Sequence, residues 1–127
     1  PVTAGRLTQW IIFAQPFQEE HEAFMLESEL ADMNDPHPMP SYAFKAQCNA
    51  ILGFDILPKL PSIKAPVLVV AGDKDLFVPI SVSEEMCRAI PGARLYTAKD
   101  GGHVQHWEQL EKYNQVTLDF LLEHSGK

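Results

Sequence analysis

The sequence has neither a long apolar run nor a cluster of basic residues. Its apolar runs fall far short of the roughly 18 to 20 residues that a transmembrane helix needs, and no signal peptide is visible. We therefore expect a soluble, cytoplasmic protein with no membrane partner. The formal net charge is -7 at pH 7. Because no basic patch opposes this acidic balance, nucleic acid is also a poor candidate for a partner.

Cysteine is scarce as well, since Cys48 and Cys87 are the only two in the chain. They are isolated from each other, which gives no support to a disulfide framework, and both are expected to be small buried side chains. Hydrophobic residues make up 46% of the sequence and charged residues 21%. This balance is typical of a folded globular domain rather than a disordered chain. We expect no cofactor.

The hydrophobic pattern divides the chain into two regions. Over residues 5–50 apolar side chains recur at helical spacing, interrupted by the proline-rich stretch 34–40, and a separate helix is expected from Ser41 to Leu52. We therefore predict a helical lid over residues 1–57. After it the pattern changes to strand, helix, strand, helix, which predicts part of an α/β core over residues 58–127.

Within the second region, two short runs predict strands at Val67–Ala71 and Arg94–Ala98. The helix between them has capping-box spacing at Ser81–Glu84 and is expected to face inward through Val82, Met86 and Ile90. A final helix is expected from about Trp107 to His124. Strands connected through a helix are usually parallel neighbours in one sheet, so the predicted fold class is α/β with parallel strands.

Asp75 and His103 each follow one of these strands, at the point where the strand ends. The carboxyl ends of parallel strands lie at one rim of a sheet, so the two side chains can meet although 28 positions separate them. A carboxylate that holds an imidazole in one tautomer makes the other ring nitrogen a general base. The pattern predicts a catalytic acid–base pair. The alternative for each residue alone is a turn or capping role.

Two other residues compete for these roles. Asp73 lies two positions before Asp75 and is expected to face solvent or to cap the loop. His106 is a rival base, and its spacing from His103, together with Asp100, could suggest a metal site. However, His-x-x-His in a loop lacks the helical repeat of known zinc motifs, so we predict no metal.

The sequence at these residues resembles a known family. The segment LPSIKAPVLVVAGDKDLFVP at Leu60–Pro79, followed by IPGARLYTAKDGGHVQHWEQLEKYNQVTLDFLL at Ile90–Leu122, is similar to the carboxyl-terminal part of an α/β-hydrolase. Within that superfamily, Gly-His-x-x-x-Trp-Glu at Gly102–Glu108 resembles hydrolases that cleave carbon–carbon bonds in ring-fission products. The segment ILGFDILPKLPSIKAP at Ile51–Pro66 resembles the junction of lid and core in the same group and in enol-lactonase-like members. The resemblance implies that Asp75 is the catalytic acid, His103 the base, and residues 1–57 the lid.

The sequence lacks the nucleophile that such a hydrolase requires. No Ser, Cys or Asp lies in a Gly-x-Ser-x-Gly setting, which strains the turn so that the nucleophile is exposed. In the family the order is nucleophile, acid, histidine, so the nucleophile and oxyanion hole would precede this sequence, and an α/β-hydrolase is roughly twice as long. We therefore expect a lid and acid–base half of a hydrolase for a small ester, lactone or carbon–carbon bond, inactive alone.

The alternative is a non-catalytic, stand-alone dimeric protein that binds a small apolar ligand or a protein partner. Trp107, Phe77 and Trp10 are candidates for an apolar substrate site, although an ordinary core position is an alternative for each aromatic residue. Two parallel strands do not form a stable sheet by themselves. The expected partner is therefore a second copy of this chain or a missing amino-terminal hydrolase half.

Overall fold

A computed structural model describes the backbone of residues 4–126 and the side chains of residues 7–126. Residues 1–3 and 127 of the two predicted regions lie outside these described residues. No helix within them is long and apolar enough to cross a bilayer. In chain order the elements are α1 (Ala4–Ile12), α2 (Gln15–Glu20), α3 (Glu22–Met33), α4 (Ser41–Leu52), a 3₁₀ helix (Leu57–Ser62), β1 (Leu68–Gly72), α5 (Ile80–Ala89), β2 (Arg94–Ala98), α6 (Gln105–Glu108) and α7 (Leu110–His124).

The sheet confirms the predicted α/β class. β1 and β2 are parallel, in a register that runs from Leu68 opposite Arg94 to Gly72 opposite Ala98. The predicted range of β2 is confirmed, and β1 lies one residue later than predicted. Within residues 4–126 the sheet contains these two strands alone, so the outer edge of each has no strand partner. Beside the sheet, the buried side-chain oxygen Oε1 of Gln105 accepts no hydrogen bond.

Helix α5 packs against both strands and the 3₁₀ helix. The prediction of its inward face is wrong for Val82, which is 43% exposed, while Ser83 is buried there instead. Of the other two predicted residues, Ile90 is buried and Met86 is half-buried. The predicted capping box is also wrong. The helix begins at Ile80, directly after Pro79, and no side chain caps it. The fixed φ of proline places Pro79 at the helix boundary and leaves Ser81 inside the first turn.

The carboxyl-terminal segment forms two helices, and the prediction of a continuous helix from Trp107 is wrong. Gln109, with φ -129° and ψ 48°, interrupts the chain between α6 and α7. Helix α7 is held to the sheet through Arg94, whose guanidinium lies 2.8 Å from Glu123 Oε2 and 4.8 Å from the centre of the Phe120 ring. The preceding short helix α6 lies beside the turn that carries His103, because Glu108 Oε2 accepts a hydrogen bond from Gly102 N.

Aromatic side chains hold the amino-terminal helices together. The ring of Phe13 stacks on Phe17 at 5.2 Å and meets Phe24 edge-on at 5.9 Å. Such offset and edge-to-face pairs are favourable beyond the apolar area they bury. Phe13 and Ala14, between α1 and α2, are buried.

Much of the predicted helical lid has no covering surface within the described residues. Helix α4 has the predicted range, yet Tyr42 is 78% and Leu52 is 85% exposed. Cys48 and Cys87 are free and half-buried rather than buried. The division into a lid and a core region stays a prediction, and the exposed apolar surface shows where further packing can take place.

Candidate active site

Asp75 lies in the turn that leaves the carboxyl end of β1. One of its oxygens, Oδ1, accepts hydrogen bonds from the backbone N–H groups of Phe77 and Val78, both at 2.8 Å. These bonds fix the orientation of the carboxylate, whose side chain is 8% exposed. The second oxygen, Oδ2, is left to face the turn after β2. One oxygen of Asp75 therefore makes the turn contacts, and the other is available to His103.

His103 lies in that second turn, with Nδ1 2.9 Å from Asp75 Oδ2. The predicted adjacency of the two side chains is confirmed. The His103 side chain remains 37% exposed, and no hydrogen bond from residues 4–126 reaches its other ring nitrogen, Nε2. A carboxylate at Nδ1 favours the tautomer that carries its proton there. The geometry thus leaves Nε2 able to accept a proton from a reactant, while the catalytic role itself stays a prediction.

Glycine allows the two turns to approach so closely. A Cβ atom at Gly72 would overlap the carbonyl oxygens of Gly101 and Gly102. The approach is fixed by two backbone hydrogen bonds, from Asp73 N to the carbonyl of Ala98 at 3.1 Å and from Lys74 N to the carbonyl of Gly101 at 2.9 Å. The backbone therefore sets the spacing between the Asp75 and His103 turns.

Asp73 and His106, the two alternative candidates, make contacts outside the Asp75–His103 pair. Asp73 is exposed, and its Oδ1 accepts a hydrogen bond from the backbone N–H of Asp100 at 2.7 Å, as a loop-capping residue would. His106 is exposed and lies 5.9 Å from the Tyr113 ring. Among the described residues, no group of three or more His, Cys, Asp and Glu side chains is arranged to hold a metal ion. Asp75 and His103 thus form the pair with acid–base geometry.

Two of the three aromatic candidates lie beside the pair. The ring of Phe77 is 5.0 Å from the His103 ring. Trp10 and Asp75 line a cleft of about 580 Å³ between the amino-terminal helices and the β1 turn. Trp107 lies elsewhere, 6.0 Å from Phe24, where it lines a separate cleft. The substrate-binding role of each aromatic residue stays a prediction.

The sequence reasoning assigned no role to Glu108, which the structure places at the base of the site. Its carboxylate accepts hydrogen bonds from the backbone N–H groups of Ala14 and Gly102, each at 2.6 Å. The local signal is the Gly-His-x-x-x-Trp-Glu stretch at Gly102–Glu108, whose last residue lies six positions after the Gly102 backbone N–H with which it pairs. The partner at Ala14, 94 positions away, gives no local signal at all.

The sequence matches the model of one protein family. Residues 17–110 match the family model described as "alpha/beta hydrolase fold". A 2-hydroxy-6-oxo-6-phenylhexa-2,4-dienoate hydrolase from Burkholderia cepacia is 33% identical over 87 residues, which are 68% of this chain and 30% of that protein. The chain therefore spans about a third of the length of such curated relatives.

Solved structures show the same fold. The enol-lactonase from Burkholderia xenovorans LB400 superposes with a TM-score of 0.78 at 24% identity, over 93% of this chain and 44% of that one. A structure described as Est816, an N-acyl homoserine lactone degrading enzyme, superposes with a TM-score of 0.78 at 25% identity. That match covers 91% of this chain and 45% of the other.

Proposed function

We propose a hydrolase function for this chain, which belongs to the α/β-hydrolase family. Asp75 and His103 are the acid and the base of an active site for a small ester, a lactone or a carbon–carbon bond. The observation that carries this proposal is the 2.9 Å contact from His103 Nδ1 to Asp75 Oδ2, at the rim where the two parallel strands end. The names of similar proteins, an enol-lactonase and a hydrolase of a hydroxy-oxo-dienoate, support a hydrolytic reaction.

In this reaction His103 Nε2 takes the proton of an attacking hydroxyl or water. Asp75 Oδ2 keeps Nδ1 protonated and stabilises the imidazolium that forms, without itself accepting the proton. The later return of the proton from Nε2 to the leaving group completes the cycle. The His103 side chain is 37% exposed, and the cleft that Trp10 and Asp75 line offers space for a reactant beside the carboxylate.

The nucleophile and the oxyanion-hole donors of the proposed enzyme are not among these 127 residues, because no Gly-x-Ser-x-Gly occurs. Three features of the described part of the chain support completion by a further polypeptide segment. These are the free edge of β1, the exposed apolar lid surface and the unpaired Oε1 of the buried Gln105. A missing amino-terminal hydrolase half would supply both the covering surface and the nucleophile.

A chimeric enzyme tests this function. Residues 4–126 would replace the superposed part of the Burkholderia xenovorans enol-lactonase, which keeps its own nucleophile. We expect the chimera to hydrolyse an activated ester such as p-nitrophenyl acetate, while the purified 127-residue chain does not, because only the chimera combines nucleophile, oxyanion hole and base.

Two outcomes of this experiment would contradict the proposal. A chimera that unfolds cooperatively but gives no turnover above the buffer rate would contradict the proposed acid–base role. Turnover by the 127-residue chain alone, retained through repeated purification and lost on His103→Ala, would contradict the external origin of the nucleophile.

A second candidate function is that of a non-catalytic dimer that binds a small apolar ligand or a protein partner. The observation that favours it is the number of large apolar side chains at the described surface, of which Leu52, 85% exposed, and Tyr42, 78% exposed, are examples. Surfaces of this kind are typical of interaction sites.

We expect the isolated chain to associate, because the strand edges and the lid surface need covering. Light scattering over a concentration series should give a mass near twice the 14.2 kDa of one chain. The dimer interface should bury more than about 2,000 Å² in total. A monodisperse species of single-chain mass that unfolds cooperatively would contradict this expectation.

A further inference from the structure

We propose that Glu108 is a positioning residue that fixes His103 by binding its turn to the segment between α1 and α2. This inference rests on the proposed function of the Asp75–His103 pair. Glu108 does not touch the reacting atoms. It acts on His103 through the backbone N–H groups of Gly102 and Ala14.

The geometry around the Glu108 carboxylate is that of a two-sided clamp. Oε1 accepts from Ala14 N and Oε2 accepts from Gly102 N, each at 2.6 Å. Both hydrogen bonds are partly buried. Hydrogen bonds to an ionised carboxylate are shorter and stronger than those between neutral groups. One side chain therefore joins the amino-terminal helices to the residue immediately before His103.

The same two segments are joined a second time through the backbone. The carbonyl of Ile12 accepts hydrogen bonds from His103 N at 2.7 Å and from Val104 N at 3.3 Å. A Cβ atom at Gly102 would lie 2.5 Å from Ala14 N and 2.6 Å from the Ile12 carbonyl oxygen. We call the contact between Ile12–Ala14 and Gly102–Val104 the seam. Its closeness means that the His103 backbone cannot shift without disturbing the amino-terminal helices.

Removal of the Glu108 carboxylate would leave two partly buried N–H groups without partners. A buried donor that loses its acceptor carries a desolvation cost, so the seam would open to let water or other groups pair with these donors. Such opening moves the His103 backbone relative to the β1 turn. Because the Asp75 carboxylate is held by its own backbone bonds, it does not follow, and the 2.9 Å contact to His103 Nδ1 is weakened.

The tautomer of His103 reports this positioning directly. In the parent chain Asp75 Oδ2 selects the Nδ1–H form, whereas an imidazole without that acceptor populates both forms. Long-range ¹H–¹⁵N correlation spectra of the 127-residue chain give the ratio of the two tautomers, which is read on the alkaline plateau of a pH series. A change in overall stability alone does not alter this ratio in the folded molecules.

The variants to compare are Glu108→Gln, Glu108→Ala and, as the control, Glu111→Gln. Glu111 is an exposed acidic residue three positions later. We expect the preference for Nδ1–H to fall by about tenfold in Glu108→Ala, to fall less in Glu108→Gln, which keeps one accepting oxygen, and to stay unchanged in Glu111→Gln. If Glu108→Ala does not fold, Glu108→Gln decides, because it preserves the side-chain volume.

Two negative outcomes of the tautomer measurement lead to different conclusions. Folded Glu108 variants that keep the parental tautomer ratio would overturn the positioning role and leave the proposed hydrolase function intact. A parent chain without the Nδ1–H preference would overturn the positioning role together with the acid–base pair on which the proposed function rests.

Discussion

Replacement of His103 by glutamine in the hydrolase chimera is expected to lower kcat by about 10⁶-fold, as loss of the base does in a serine protease. Glutamine is similar in polarity but has no nitrogen that can take up a proton at neutral pH. The contact with Asp75 shows that the imidazole is held with Nδ1 occupied, so proton transfer depends on Nε2 alone. The measurement is single-turnover hydrolysis of an activated ester.

His106→Gln is the matched control, because it makes the same chemical change three positions away. His106 is exposed and lies beside the Tyr113 ring rather than beside Asp75. We expect its kcat to equal that of the parent chimera. Equal losses in the two variants, or a larger loss in His106→Gln, would show that the base has been misassigned.

Asp75→Asn is expected to lower kcat by about 10⁴-fold in the same chimera, with little effect on folding. The asparagine carbonyl can still accept the hydrogen bonds that Phe77 N and Val78 N give to Oδ1. Its amide group, however, replaces Oδ2 and donates toward His103 Nδ1. That ring nitrogen must then be unprotonated, so the proton moves to Nε2, where it blocks the acceptance of a proton from the nucleophile.

Asp73→Asn provides the control for this substitution. Its carboxylate accepts one backbone N–H, from Asp100, and an asparagine carbonyl can do the same. We expect kcat to remain within a few-fold of the parent value, since surface substitutions away from the site have small effects. Thermal unfolding of both variants separates a loss of catalysis from a loss of structure. An Asp75→Asn variant with parental kcat would contradict the acid role.

The sequence allowed prediction of the parallel strands and the acid–base pair because both depend on short local patterns. A β-branched, apolar run that ends at glycine defines β1, and a short run between Pro91-Gly92 and Gly101-Gly102 defines β2. Parallel strands leave few positions for the residues that follow them. For that reason Asp75 and His103 could be placed together, whereas the choice of Asp75 over Asp73 followed from the resemblance to the α/β-hydrolase family. A local pattern also predicted the range of β2, Arg94–Ala98.

The remaining features depend on tertiary contacts that have no local pattern. No glycine or proline marks the break at Gln109. The break lies where the chain passes from α6, beside the site, to α7, beside the sheet. The orientation of Val82 depends on which surface α5 meets, and an apolar side chain suits a lid, a core or an interface equally. Glu108 was missed because its function depends on a backbone donor far away in the chain.

The seam also has a consequence for the biosynthesis of the protein. Ala14 and Glu108 are 94 positions apart, so the contact requires closure of a long loop, whereas Asp75 and His103 are separated by 28. Closing a longer loop costs more chain entropy, and the chain is made from its amino terminus. The rings of Phe13, Phe17 and Phe24 can meet early, because they lie close together in the chain. The backbone N–H of Ala14, by contrast, has no carboxylate acceptor until residue 108 has left the ribosome, and a pause in synthesis before that residue would prolong this interval.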